Sequence, residues 1–542
     1  MESTQTFQSR AFSIKLWPPS QSTRLMLVER MTKNLSSPSL FSRKYGLLSK
    51  EEAEENAKKI EEVAFAAANQ HHEDEPDGDG SAAVQLYAKE SSKLMLEVLK
   101  KGPRPKEDGE VPVSGSIPGA NKVFDISKGP RAFMEAEEAK KILKPLTETA
   151  EPYTKICFSN RSFGIDAAHV AGPILASIKD HLTEVDLSDF VAGRPEADAL
   201  EVMKIFSSAL EGCILKSIDL SNNALGEKGV RAFGPLLKSQ TSLEKLYLIN
   251  DGISQEAAQA ICKLMPPTEN LQVLHFHNNM TGDEGAIAIS ELVRQSPALE
   301  DFRCSSTRVG SDGGVALADA LSSCPKLKKL DLRDNMFGVE VGIALSKAFS
   351  CFTGLTEAYL SYLNLEDEGT IAVVNALKES APSLEVLEMA GNDITIGAAG
   401  PLAECITVKQ FLTKLNLSEN ELKDQGSIII GKALEEGHPH LKEVDLSTNG
   451  IRRAGARVLA QAVVGKPDFV LLNINENFIS DEGIDEVKEI LKANKKSVDV
   501  LGPLDDNDPE GEDDHAQSEE DEGVEDGDEL ESKLQDLKVD HE

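Results

Sequence analysis

A beat of 28 or 29 residues between about Lys155 and Ala493 leaves this chain few ways to fold. Segments such as LKSIDLSNNALG (215–226), LEKLYLINDGIS (243–254), LQVLHFHNNMTG (271–282), LKKLDLRDNMFG (327–338) and LTKLNLSENELK (412–423) share the pattern L-x-x-L-x-L-x-x-N-x-L. The asparagine position falls at Asn223, Asp251, Asn279, Thr307, Asn335, Leu363, Asn392, Asn420, Asn449 and Asn477. Two looser copies precede these, with the same position at Arg161 and Phe190. Self-similarity at one period means units that bury their apolar faces on one another.

This is the leucine-rich repeat pattern, and each part of it has a structural meaning. In L-x-L, side chains two apart share one face, so the pair reads as a short strand with that face buried. The asparagine lets the chain turn, and its amide can satisfy neighbouring backbone groups. A glycine follows six residues later in many copies, among them Gly285, Gly313 and Gly455, and a helical stretch such as GARVLAQAVV (455–464) comes next. A strand and a full helix at this period predict an α/β fold: a leucine-rich-repeat horseshoe of the ribonuclease-inhibitor type with about 12 repeats. Residues between the leucines, such as Asp219, Tyr247, His275, Arg303 and Asp331, should line its inner face.

Composition narrows the partners. The net charge is −35, from 92 acidic against 57 basic residues, which argues against nucleic acid and against an anionic membrane surface. Seven scattered cysteines without a C-x-x-C pair point to reduced thiols rather than a disulfide framework or a zinc site. No apolar run approaches the ~18 residues of a membrane span, and no secretory signal opens the chain. A soluble, intracellular protein is the expectation.

Along the chain, residues 1–101 read as a small all-α domain. The only tryptophan stands in Leu16-Trp17-Pro18-Pro19, ahead of a helix to about Asn34. Ser49-x-x-Glu52 is a capping box for a second helix, to about Asn69, with Ala53, Ala57, Ile60, Ala64 and Ala67 on one face. A third helix is expected over about 81–100. Residues 102–150 read as a linker and an N-terminal cap, which an array needs because its first repeat exposes an apolar edge. Repeats fill 151–498, and 499–542 is a tail. From Asp505 to Glu531, 16 of 27 residues are acidic and none is Lys or Arg, a block expected to stay disordered. It serves either solubility or the electrostatic steering of a basic partner.

Enzyme chemistry is hard to find in this sequence. Gly426-x4-Gly431-Lys432 resembles a phosphate-binding loop, but Ala433 stands where Ser or Thr should reach magnesium, and the beat demands a helix there. His71-His72, in an acidic stretch, lacks metal-ligand spacing and reads as a solvated turn. No metal or cofactor is implied, and periodicity by itself predicts a protein-binding scaffold.

Two stretches carry a resemblance. Through VDLSDFVAGRPEADAL, LSNNALGEKG, LYLINDGIS, HFHNNMTGDEG and LDLRDNMFG, most of 152–497 resembles the leucine-rich-repeat GTPase-activating proteins of the small GTPase Ran. The WPPS…STRLMLVERM…SRKYGLLS run resembles the plant WPP domain, with Trp17, Pro18 and Pro19 as its namesake. The resemblance implies stimulation of GTP hydrolysis by Ran in its GTP form, in support of nucleocytoplasmic transport. It also implies docking of the N-terminal domain on coiled-coil anchors, which would place the chain in the cytoplasm and at the cytoplasmic face of the nuclear envelope without membrane insertion. Such activators are understood to use an asparagine that holds the GTPase's own glutamine, rather than an inserted arginine. Two residues qualify: Asn223, at the repeat's structural position, and Asn250, one residue before it and so free to project. The family's loop arginine matches Arg194, which should dock the partner, with Asp189, Asn279 and Arg303 as further docking residues. The alternative is a non-catalytic repeat adaptor that binds a protein without turnover.

Overall fold

The computed structural model describes residues 17–19, 21–36, 48–74, 81–101, 122–148 and 151–507. They fall into two compact units, residues 1–120 with 127–132, and residues 121–126 with 133–542. The expected linker over 102–120 and the tail from 508 onward lie outside the described residues.

In the larger unit, thirteen parallel strands lie side by side in chain order. The first, Val123–Asp125, belongs to the cap, and one strand per repeat follows, from Lys155–Cys157 to Leu471–Asn473. Because the period sets the register, equal positions face each other, as Lys329 faces Glu357 and Asp331 faces Tyr359. The middle residue of each strand points into the core, where Ile218, Leu246 and Leu330 are fully buried. Outer residues of the same strands form the inner face, as the alternation requires. Helices from Ile165–Ile178 to Asp481–Ala493 return the chain, and one apolar core runs unbroken from Phe124 to Val500.

Each strand ends after three residues because the chain turns by a left-handed residue. These residues, one per repeat directly before the asparagine position, are Asn160, Asp189, Asn222, Asn250, Asn278, Ser306, Asp334, Tyr362, Gly391, Glu419, Thr448 and Glu476. The asparagine itself then stitches two repeats together. Asn335 donates through Nδ2 to the carbonyls of Cys304 and Leu332, both at 2.8 Å, while its Oδ1 accepts from the Val309 amide at 3.1 Å. In the first two repeats, where this position is Arg161 and Phe190, aromatic packing takes over. Phe190 lies 5.1 Å from Phe206, which also meets Phe163 at 5.1 Å.

A second ladder runs along the opposite edge, three residues before the leading leucine of a repeat. There buried side chains donate to the carbonyls that helix ends leave open. Gln240 Nε2 reaches Cys213 O at 2.9 Å, Lys409 Nζ reaches Ser380 O at 2.5 Å, and Lys466 Nζ reaches Gly437 O at 2.7 Å. Burial lowers the pKa of both lysines. Helices also cap one another. Asp283 Oδ1 accepts from the amides of Gly310 at 2.7 Å and Gly313 at 3.0 Å, at the start of the next helix. That close approach explains Gly313, where a Cβ would come within 2.8 Å of the Asp283 Cα.

The array extends past the expected boundary at 498. Leu501 bridges to Leu472 in parallel, and Asn507 Oδ1 accepts from the Asn477 amide at 3.0 Å as the next asparagine of the ladder would. Residues 499–507 therefore close the last repeat, and the acidic block begins inside this closure rather than after it.

The smaller unit holds three described helices, Gln21–Ser36, Lys50–Asp74 and Ser81–Lys101. The Ser49–Glu52 capping box is formed, with Glu52 N donating to Ser49 Oγ at 3.2 Å and Ser49 N to Glu52 Oε2 at 3.3 Å. The buried stripe of the second helix is Ala53, Ala57, Ile60, Ala64 and Ala68; Ala67 is exposed, because four-residue steps from Ala64 keep the face better than three. His71 and His72 lie in the last turn of this helix, not in a turn beyond it.

Candidate functional site

The two candidate asparagines differ in what their amides do. Asn223 is buried, and its Nδ2 donates to Leu187 O at 2.8 Å and Leu220 O at 2.7 Å. Its Oδ1 accepts from the amides of Phe190 and Val191. Every polar atom of that side chain is used by the fold. Asn250 is exposed at the turn, with φ 56°. Its Nδ2 donates to Asn222 Oδ1 at 3.1 Å and its Oδ1 accepts from Asn278 Nδ2 at 3.1 Å. Its second amide hydrogen makes no hydrogen bond to another described residue. This separates Asn250 from Asn223; the turn itself does not single it out, since every repeat presents a left-handed residue there.

Beneath Asn250, Asp251 takes the asparagine position and is fully buried. Its Oδ1 accepts from the Asn223 amide at 2.8 Å, while Oδ2 has no hydrogen-bond partner. Burial pushes its pKa well above the ordinary carboxylate value.

The other four expected contact residues are not alike. Arg194 is no free loop charge, its side chain being 14% exposed. The guanidinium donates to Ser162 O at 2.7 Å, Met134 O at 3.2 Å and Glu135 Oε1 at 2.9 Å, and lies 4.9 Å from the centre of the Phe133 ring. It pins the 191–194 loop to the cap, and five donors in a rigid fork suit that role. Asn279 is another buried asparagine of the ladder, donating to Leu248 O and Phe276 O at 2.7 Å each. Asp189 is buried in the left-handed turn, its backbone amide on Ser221 O. Arg303 lies on the inner strand face, bonded to Asp301 at 3.1 and 3.2 Å, where His275 Nε2 is also 3.0 Å from Asp301 Oδ1.

Two grooves on the turn edge gather most of these residues. One is lined by Val191 to Arg194 and Asn222 to Lys228, the other by Asn250, Asn278, Met280, Arg308 and Met336. The Asn222–Asn250 bond joins them. Met280 and Met336 are 48% and 59% exposed, giving the second groove an apolar rim able to pack against a protein. Asn222, Asn278, Arg308 and the two methionines escaped the sequence reading. The signal was present: Asn222, Asn250 and Asn278 recur at 28 residues, one position before the structural asparagine.

Elsewhere, Gly426 to Lys432 lies inside the helix Lys423–Glu435, so its backbone amides serve the helix rather than a phosphate. Trp17 is 3% exposed, stacked 5.2 Å from Phe65 and edge-on 5.5 Å from Tyr87. It anchors the core of the smaller unit, while Pro18 is exposed and Pro19 half-buried.

A WPP domain model matches residues 13–109, and a Leucine Rich repeat model matches 213–234, 408–427 and 437–460. The chain is 71% identical to RAN GTPase-activating protein 2 of Arabidopsis thaliana over 503 residues, 93% of this chain and 92% of that protein. It is 66% identical to RAN GTPase-activating protein 1 of the same plant over 99% of this chain and 98% of that one. MFP1 attachment factor 1 of Solanum lycopersicum is 37% identical over 126 residues, which cover 22% of this chain and 82% of that protein.

Proposed function

The chain belongs to the RAN GTPase-activating proteins, and from that premise we propose that it stimulates GTP hydrolysis by Ran, presenting Asn250 from its turn edge to the GTPase. The GTPase brings the nucleotide, its magnesium and the glutamine that orients the attacking water; the activator holds that glutamine in place. The observation that supports Asn250 over Asn223 is the uncommitted amide hydrogen of an exposed carboxamide, where Asn223 has its whole amide spent on the fold. No nucleotide site of its own is required. Arg194 acts at one remove by holding the 191–194 loop, the apolar rim at Met280 and Met336 supplies packing area, and Arg303 and Asp189 are peripheral to the contact.

The WPP-type unit serves as the address, docking on coiled-coil partners so that hydrolysis occurs in the cytoplasm and at the cytoplasmic face of the nuclear envelope. Trp17 contributes by keeping that unit folded.

Single-turnover hydrolysis on Ran loaded with GTP tests the catalytic part. Asn250→Ala is expected to slow the stimulated rate by about 10²-fold, the scale of losing one positioned donor. Asn223→Ala should lower the melting temperature first. A full rate from Asn250→Ala, with a rate lost in a still-folded Asn223→Ala, would reverse the assignment.

A further inference from the structure

We propose that Asn222 and Asn278 are positioning residues, forming with Asn250 a directional chain of three carboxamides that sets the angle at which Asn250 meets its partner. The inference rests on the reading of Asn250 given above. An exposed asparagine side chain is otherwise free to rotate, and a contact made by a rotating amide loses part of its value to ordering. Here Asn278 Nδ2 donates to Asn250 Oδ1 and Asn250 Nδ2 donates to Asn222 Oδ1, each at 3.1 Å. The carbonyl of Asn250 is thereby turned toward one neighbour and one N–H toward the other, which leaves the second N–H as its outward group.

The backbone reinforces this geometry. Each of the three sits on a left-handed turn, with φ 65°, 56° and 54°, and the Asn222 and Asn250 amides donate to Ile249 O at 2.8 Å and His277 O at 3.0 Å in the next repeats. The turn does not itself demand asparagine: Ser306, Asp334, Tyr362, Glu419 and Thr448 hold the same conformation. Three consecutive asparagines occur only in the repeats centred on Asn250, with Asp189 before and Ser306 after. A requirement of the fold would have no such centre. A requirement on Asn250 would.

The chain has a polarity, and polarity can be tested with one substitution type at two sites. Aspartate tolerates the left-handed turn and adds the same charge at either flank. Asn222→Asp keeps the acceptor that Asn250 Nδ2 needs. Asn278→Asp removes the donor and sets a carboxylate oxygen against Asn250 Oδ1. Stimulated hydrolysis on Ran is measured for both, with Asn250→Ala alongside and melting temperatures to confirm that all three fold. Asn278→Asp is expected to lower kcat about ten- to a hundredfold, the scale of a misplaced reacting group. Asn222→Asp is expected to lower it less than about threefold, with KM shifting equally in both. Equal losses at the two sites, or the larger loss at 222, overturn the chain. If Asn250→Ala is slow while both aspartates are fast, the chain fails and the reading of Asn250 stands. If Asn250→Ala keeps the full rate, both fall.

Discussion

At position 251 an aspartate stands where the flanking repeats carry Asn223 and Asn279. An asparagine there accepts with Oδ1 and donates with Nδ2, but a carboxylate can only accept, and Oδ2 of Asp251 is buried with no partner. The group escapes part of this cost by holding a proton, hence its raised pKa. The sign follows. A carboxyl with a folded pKa above its unfolded value binds more protons folded, so its contribution is complete below the ordinary value of 3.8 and is lost as pH rises through the folded value. A carboxamide does not titrate, so replacing the carboxyl by one should stabilise the chain by an amount that grows with pH. For Asp251→Asn we expect a gain of about 1–2 kcal/mol at pH 7 that shrinks toward pH 4. Urea midpoints across that range check this, and a gain independent of pH would show the carboxyl to be ionised in the native state.

Between elements, stability depends on side chains that reach one repeat over. Asp283 caps the helix Ser311–Leu321 with two short hydrogen bonds, and Asp424 does the same for Arg453–Val464, bonding the amides of Arg452 and Gly455 at 2.8 Å each. Asp283→Ala should cost about 1–2 kcal/mol, the upper range for a lost N-cap, with faster amide exchange confined to the start of Ser311–Leu321. Exchange that quickens evenly over the array would count against a local cap. These contacts also mark the limit of what the sequence made legible. The strands, buried asparagines and helix glycines were readable because each recurs as one residue type at a fixed offset. The second ladder was not, since Gln240, Cys324, Lys409, His438 and Lys466 share a position and a carbonyl partner one repeat back but no chemistry a pattern would group. Among the candidate site residues, the exposure of Asn250 and the burial of Asn223 were legible from their offsets in the repeat, whereas the left-handed turn that Asn250 shares with every repeat was not. The fixing of Arg194 depended on Met134, Glu135 and Ser162, partners 32 to 60 residues away that no local motif announces. Closure of the last repeat by Asn507 was hidden because it falls within an acidic run that reads as solvated.

Over the whole chain, function is divided along its length. Trp17 lies in an apolar cluster of the smaller unit with Ala64, Ala68, Ala83 and Tyr87, so Trp17→Ala should disperse the nuclear-rim signal of the full-length protein in cells while its stimulated hydrolysis rate on Ran stays within about twofold. A fall in both would tie address and activity together. Within the array, the backbone ladders join each repeat to its neighbours, and longer links such as Arg333–Glu388 and Tyr362–Glu419 pass over a single repeat, so damage should travel only a few repeats. Leu472, fully buried in the last strand, lies eight repeats from Asn250. Leu472→Ala removes a core side chain at a cost of about 2–5 kcal/mol. One cooperative core would pass that loss to every repeat alike, whereas a solenoid lets its end open while the repeats around Asn250 keep their protection. We expect faster amide exchange from about Glu443 onward, unchanged exchange in the strands from Glu184 to His275, and a hydrolysis rate close to that of the intact protein. Loss of the rate together with uniform exchange would mean that the acidic end is needed to hold the catalytic edge, and that the chain folds as a single unit from cap to closure.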